Sequence, residues 1–351
     1  MTCASVRTDR RAQIGGCRRL LLGLWFCTWL LLPAITNATE CMSDGRYVMG
    51  TVLEITLCAE HATPLRQQFD PLFAKASHLD ALLTTYNPNS PVSRLNVQAG
   101  KGPVFVPQEV SDLLTLSLRY SQLTQGTFDV TVGSLLTIWR QAALRQTALS
   151  LKELQRTRRA VGSDKIRLLP NRTVVLRPGM AIDFGGIGKG YALDQLQAHL
   201  KKQHIRHALL DFGQSSLWAL GAPPDATGWR IVVQRSDGHL AGVITLRNQA
   251  LSISASMGQT VTIGKQQYGH IVDPRTGQPL QRDLLACVIA PTATQAEALS
   301  KALLILGEHK GIALLQHFPG VEGMLLETAG SSWMTPGWQQ AVSFSSNPTE
   351  R

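Results

Sequence analysis

Apolar positions recur every two residues in some stretches of the chain and every three or four in others, and these periods lay out its elements. Val52, Glu54 and Thr56 alternate with Leu53, Ile55 and Leu57, which predicts a hairpin-like pair of extended pieces over residues 45–58, turning about Gly50. Leu65, Phe69, Leu72, Phe73, Ala76, Leu79, Leu82 and Leu83 then form a helical stripe that stops near Asn87-Pro88-Asn89. A second helix is predicted over residues 107–124 through Val110, Leu113, Leu114 and Leu118, with Gly126 as its stop. Two shorter helices follow near 135–143 and 151–161, and extended pieces at 166–169 and 173–176 flank Pro170-Asn171, the chemistry of a tight hairpin.

Beyond a glycine-rich loop at 185–190 the pattern predicts a helix over 191–203, then strand after strand at short spacing from Ala208 to Val272, which favours an antiparallel sheet. Residues 285–289 read as a further strand, 295–306 as a helix with apolar Ala298, Leu299, Ala302, Leu303 and Leu306, and 324–326 as a last strand. With no repeats and no low-complexity linker, the expectation is one intertwined α+β unit with two sheets over residues 39–342, followed by a loose tail at 343–351.

Leu20 to Ile35 is continuously apolar apart from Thr28, follows Arg7, Arg10, Arg11, Arg18 and Arg19, and leads to small residues ending at Ala38. A secretory signal peptide at 1–38 is therefore expected, placing the folded part outside the cytoplasm, in the periplasm. Left uncleaved, the same stretch would tether the chain to the inner membrane. Glu40 stands where a lipoprotein would need a small residue before Cys41, which argues against lipidation. Without residues 1–38 the formal charge falls from +10 to +6, so much of the basic excess belongs to targeting. The remaining positives concentrate between Arg140 and Arg172, where a solvated helical face is the expectation and attraction to anionic lipid or an acidic partner the lesser reading. No nucleic-acid partner is expected. Cys41, Cys58 and Cys287 remain, and their odd number and wide spacing argue against a disulfide scaffold and against a zinc site.

Three segments carry candidate chemistry. Ile182-Asp183-Phe184-Gly185-Gly186-Ile187-Gly188-Lys189-Gly190-Tyr191 runs into a helix, whose N–H groups and dipole suit an anion beside Lys189, although the spacing of a Walker loop is absent. Gly269-His270-Ile271-Val272-Asp273-Pro274-Arg275-Thr276-Gly277 ends a strand in a turn that Asp273 can cap, and His270 is able to carry a proton near neutral pH. Gly126-Thr127-Phe128-Asp129-Val130-Thr131-Val132-Gly133 enters a helix that includes Trp139, which fits either a wall of a ring-binding pocket or plain core.

In this order and at these separations, together with Met49-Gly50-Thr51, Thr85-Tyr86-Asn87-Pro88, Ser93-Arg94-Leu95-Asn96 and Ala290-Pro291-Thr292-Ala293, the segments resemble the ApbE family of FAD:protein FMN transferases. The resemblance implies an extracytoplasmic enzyme of T-fold-like α+β architecture, with antiparallel sheets and packed helices. Such an enzyme binds FAD, cleaves its pyrophosphate with the help of Mg²⁺, and attaches FMN through a phosphoester to a Thr or Ser hydroxyl of an acceptor protein. Carried over by position, Met49, Tyr86, Thr127, Phe128, Asp129, Asp183, Lys189 and Val272 would line the flavin nucleotide, and Asp183, Lys189 and His270 would serve catalysis. Gly186, through its carbonyl, Glu297 and Ser300 would hold the metal.

The chain departs from the family at that metal. The family's late helix reads approximately A-D-A-x-[SD]-T, with Asp and Thr as ligands, whereas here it reads Ala296-Glu297-Ala298-Leu299-Ser300-Lys301. Protonated Lys301 cannot ligate; it either replaces the ion, repels it, or extends to solvent along its own stem. Gln214 also stands where the family has a second glycine, and Met257 follows Ser256 where a glycine is usual. Two rival functions follow: an FAD pyrophosphatase with water as acceptor, and a catalytically silent flavin-nucleotide-binding protein.

Overall fold

The computed structural model describes residues 40–59, 62–235, 238–327 and 330–343, so the expected leader lies outside the described residues. The chain opens with β1 (Glu40–Val48) and β2 (Thr51–Ala59), followed by α1 (Ala62–Leu83), α2 (Pro91–Val97), β3 (Val104–Phe105) and α3 (Gln108–Leu123). Next come α4 (Gly133–Arg145), α5 (Leu151–Arg158), β4 (Arg167–Leu169), β5 (Thr173–Val175) and α6 (Gly188–Lys202). The strand-rich stretch comprises β6 (His207–Phe212), β7 (Ser216–Leu220), β8 (Trp229–Gln234), β9 (Leu240–Leu246), β10 (Gln249–Ala255), β11 (Thr260–Ile263) and β12 (Gln266–Gly269). It is followed by β13 (Leu284–Ala290), α7 (Ala293–Leu315), β14 (Glu322–Glu327), β15 (Ser332–Met334), α8 (Trp338–Ala341) and β16 (Val342–Ser343).

Eight strands form one antiparallel sheet in the order β1-β2-β6-β7-β10-β13-β14-β15. Helices α1, α6 and α7 cover one face. A small sheet, β16-β9-β8, covers part of the other, where Leu217, Leu251, Cys287 and Ile289 pack against Trp229, Ile231, Ile244 and Trp338. Burial from both sides explains why β7 and β13 have no exposed position and read as apolar runs instead of alternating. Two sheets were expected, whereas the described residues form four. β3-β5-β4 and the β11-β12 hairpin stand apart, because alternation marks a strand but not its partner.

Met49 and Gly50 both adopt positive φ, at 52° and 79°, and make the two-residue turn between paired Val48 and Thr51. That turn sets a register in which Cys41 lies opposite Cys58, and the two form a disulfide. The cysteine count argued against a disulfide scaffold; one bridge forms nonetheless, because hairpin register, not spacing, brings these two together. Cys287 is free and buried on β13. The expected 295–306 helix is the first part of α7, which breaks at Gly307 (φ 74°) and continues to Leu315. A third cluster, with Leu135, Trp139, Leu154, Tyr268 and Val272, fastens β11-β12 and the following turn to α4 and α5.

Candidate functional site

The glycine-rich loop is fixed from its base. Both polar atoms of the Asn96 side chain clasp Ile182, donating to its carbonyl at 2.8 Å and accepting from its N–H at 2.7 Å. Asp183 N–H donates to Val130 O at 2.8 Å, and the Asp183 carboxylate accepts from Gly185 N–H at 2.8 Å. Helix α6 starts at Gly188 with no side chain capping it, so its dipole end is open toward the loop. Gly190 has a different task. A Cβ there would lie 2.4 Å from Ala293 O, so this glycine permits α6 and α7 to cross closely.

Several predicted residues meet around this loop. The Cβ position of Gly186 is 3.7 Å from Phe128 Cε2 and 3.9 Å from Lys301 Cγ, and that of Gly188 is 3.5 Å from Met49 Cε. Tyr86 is 82% exposed, with its ring under Arg140, whose guanidinium lies 5.5 Å from the ring centroid and 3.9 Å from the Asp183 carboxylate. Arg140 therefore joins Tyr86 to Asp183. The sequence placed it only on a solvated basic face, since helical spacing cannot show that α4 starts beside Ala181, where Gly133 touches the backbone.

The opposite wall is α7, held at its start by Asp194 of α6. The Asp194 carboxylate accepts from Ala293 N–H (2.8 Å), Thr294 N–H (2.9 Å), Thr294 Oγ1 (2.5 Å) and Trp218 Nε1 (3.0 Å). Glu297, Ser300 and Lys301, at i, i+3 and i+4, share one face of the helix. Glu297 is fully buried; Oε1 accepts from Ser216 Oγ, while Oε2 has no partner. Ser300 lies 3.0 Å from Ser252 Oγ, 2.9 Å from Ser254 Oγ and 3.0 Å from Glu297 O. Lys301 is half-buried rather than extended to solvent along its whole length. Its stem lies along Gly186, and burial lowers its ammonium pKa to about 8, with Glu297 opposing and Lys189 adding to the fall.

The donors do not fit the magnesium ion that the family resemblance implies. A hydroxyl has one proton and two lone pairs, and Ser300 Oγ already shares them among three neighbours, Glu297 O, Ser252 Oγ and Ser254 Oγ, with either serine of each pair able to donate. Hard, near-octahedral oxygen coordination would then rest on the unpartnered Glu297 Oε2, a loop carbonyl and a serine shared among three partners, with the Lys301 stem lying along that same loop. Among the described residues no cluster of three or more His, Cys, Asp or Glu could hold a metal.

Lys189 Nζ donates to Ser215 Oγ, turning its charge toward the β6-β7 turn. In that turn Gly213 and Gln214 both have positive φ, and Gln214 is exposed. His270 Nδ1 lies 3.1 Å from Gln259 O. A carbonyl only accepts, so Nδ1 carries hydrogen and, in the neutral ring, Nε2 keeps a free lone pair. Lost hydration lowers the His270 pKa below its usual value; the Gln259 carbonyl opposes this, and Lys301 and Lys189 reinforce it.

Other predicted residues are engaged elsewhere. Asp129 is buried, and its two oxygens accept from Thr131 N–H, Thr131 Oγ1, Ser121 Oγ and Ser163 N–H, so it braces the loop instead of facing a ligand. It borders an open cleft of about 890 Å³ lined also by Arg158, Arg159 and Arg275, which excludes Asp183, Lys189 and His270. Val272 and Trp139 are core, the Trp139 indole donating to Gly277 O at 2.9 Å. Thr127 is fully buried, with its hydroxyl unpartnered. Ser215, Ser216, Ser252 and Asp194 were missed, although the period-two serines of β10 were a signal for a hydroxyl row on one sheet face.

Fold and site together define an α+β protein in which an uncapped helix start, a glycine loop, two lysines and a histidine gather beside a large antiparallel sheet. The chain belongs to the ApbE family, whose profile matches residues 49–325. It is 26% identical over 317 residues to the FAD:protein FMN transferase of Escherichia coli K12, covering 87% of this chain and 90% of that protein. It is 25% identical over 306 residues to that of Treponema pallidum, covering 81% and 84%. The fold is that of the ApbE protein from Thermotoga maritima, with a TM-score of 0.78 at 23% identity over 87% of this chain and all of that one. It is also that of the Pseudomonas stutzeri flavinyl transferase ApbE in its apo form, with a TM-score of 0.76 at 23% identity over 86% and 97%.

Proposed function

We propose that the protein transfers FMN from FAD to a Thr or Ser hydroxyl of an acceptor protein. The observation that carries this is the open Nε2 of His270 beside the charges of Lys189 and Lys301, at a helix start suited to phosphate. Met49 and Phe128 supply apolar surface for a ring, and Asp183, steadied by Arg140, supplies a directional polar contact. The acceptor hydroxyl oxygen bonds to the phosphorus on the FMN side. The bond from that phosphorus to the bridging oxygen breaks, and AMP leaves with the electron pair. The hydroxyl proton passes to His270 Nε2 and on to solvent. No step is assigned to magnesium, because the donors do not fit it.

Export supports the same reading. The Cys41–Cys58 bridge suits an oxidising compartment, and the basic-then-apolar leader suits secretion to the periplasm or a tether at the inner membrane. Among the described residues no helix is long and apolar enough to cross a membrane. Incubating the purified protein with FAD and an acceptor protein, and reading the acceptor's mass, tests the activity: covalent FMN with release of AMP is expected. The mismatched metal donors favour one second reading, a nucleotide carrier without transfer, for which the same assay would show bound FAD and no AMP.

A further inference from the structure

We infer that Lys301 performs, as a built-in cation, the task that the family resemblance gives to a divalent ion, so that this chain takes a dinucleotide pyrophosphate without metal. The inference rests on the transferase reading and deepens it. Three observations converge on it. The Lys301 stem runs along Gly186, with Cγ and Cε 3.9 and 4.0 Å from that residue's Cβ position, and among the described residues no hydrogen bond or ion pair ends on its ammonium. One turn earlier on the same face, Glu297 is fully buried with Oε2 unpartnered; an uncompensated carboxylate there is costly, and a cation four residues on is the partner that helix geometry offers. Ser300, the neighbouring hydroxyl that would have to replace the lost Thr ligand, is already shared among Ser252, Ser254 and the Glu297 carbonyl. A single change from a neutral ligand to an ammonium thus both removes a donor and supplies the charge that donor would have recruited.

A pyrophosphate bridging two nucleosides carries two negative charges. Lys189 and Lys301, flanking the loop, bring two positive charges, one of them partly offset by the Glu297 carboxylate, and the open start of α6 adds N–H donors. Neither bond making nor bond breaking changes on this account; only the source of the positive charge does.

The test uses the native chain stripped with EDTA. Mn²⁺ titration followed by electron paramagnetic resonance is expected to show no stoichiometric site, and FAD affinity, read by flavin fluorescence, is expected to be the same in EDTA and in Mg²⁺. Lys301→Met, close in volume and uncharged, should bind FAD at least tenfold more weakly while still folding, as read by circular dichroism, with a lower thermal melt because Glu297 loses its cation. Stoichiometric Mn²⁺ binding by the native chain, FAD affinity that rises tenfold or more with Mg²⁺, or undiminished affinity in a folded Lys301→Met variant would overturn the inference and leave the transferase reading standing. A native chain that binds no FAD in either medium would overturn both.

Discussion

Asp194 sets where α7, and with it Glu297 and Lys301, stands relative to the glycine loop, so its removal should register in both stability and binding. Its two oxygens take four donors, two of them backbone N–H groups at the start of α7. Each such bond to a charged acceptor contributes about 1.5–3 kcal/mol, and the freed α7 donors regain part of that from water, which leaves a net cost of about 3–5 kcal/mol for Asp194→Ala. Asp194→Asn keeps one oxygen but turns an N–H toward the Thr294 N–H, for about 2–3 kcal/mol. At roughly 2 °C per kcal/mol for a protein of this size, the melting temperature should fall on the order of 5 °C for Asn and 8 °C for Ala. Differential scanning calorimetry on the oxidised protein reads this directly. FAD affinity measured below the transition should fall as well, since the clasp orients the wall that carries Lys301. An Asp194→Ala variant melting within about 1 °C of the native protein would refute the reasoning, because at least two backbone donors would then have been orphaned at no cost.

Replacing Cys41 and Cys58 together by Ser should cost about 3 kcal/mol on the chain-entropy account for a separation of 17 residues, seen as a lower denaturant midpoint; identical midpoints for reduced and oxidised native protein would contradict it. His270 has a folded pKa below its unfolded value, so its neutral form adds stability above about pH 6.5 that is lost as pH falls toward the lowered value, and the acid limb of FMN transfer should lie below that pH. An imidazole titrating above about 6.5 by NMR would count against the assignment. Asp183→Ala should weaken FAD binding by about 1–3 kcal/mol, roughly 5- to 150-fold by fluorescence titration, and unchanged affinity would remove Asp183 from the site.

The first hairpin, the long amphipathic helices and the glycine loop entering α6 were legible because each is specified by neighbours within a few residues: period two, period three to four, and punctuation by glycine or proline. Segment order likewise carried the family, since the motifs keep their separations whatever the packing. The sequence also flagged Lys301 as a departure at the metal position. It left open whether that ammonium ran to solvent or into the site, because a helix face is assigned to core or water only by what packs on it. The approach of α7 to α6, permitted at Gly190 and clasped by Asp194, turned Lys301 onto Gly186. Tertiary structure alone decided the rest: that Cys41 meets Cys58, that Arg140 reaches Asp183 across 43 positions, that Asp129 braces Ser163, and that Ser300 shares its hydroxyl with Ser252 and Ser254. Those contacts join residues far apart in the chain, and neither period nor composition encodes which strand lies beside which. Local pattern named the parts, and sheet register with helix crossing determined which of their polar atoms were left free for chemistry.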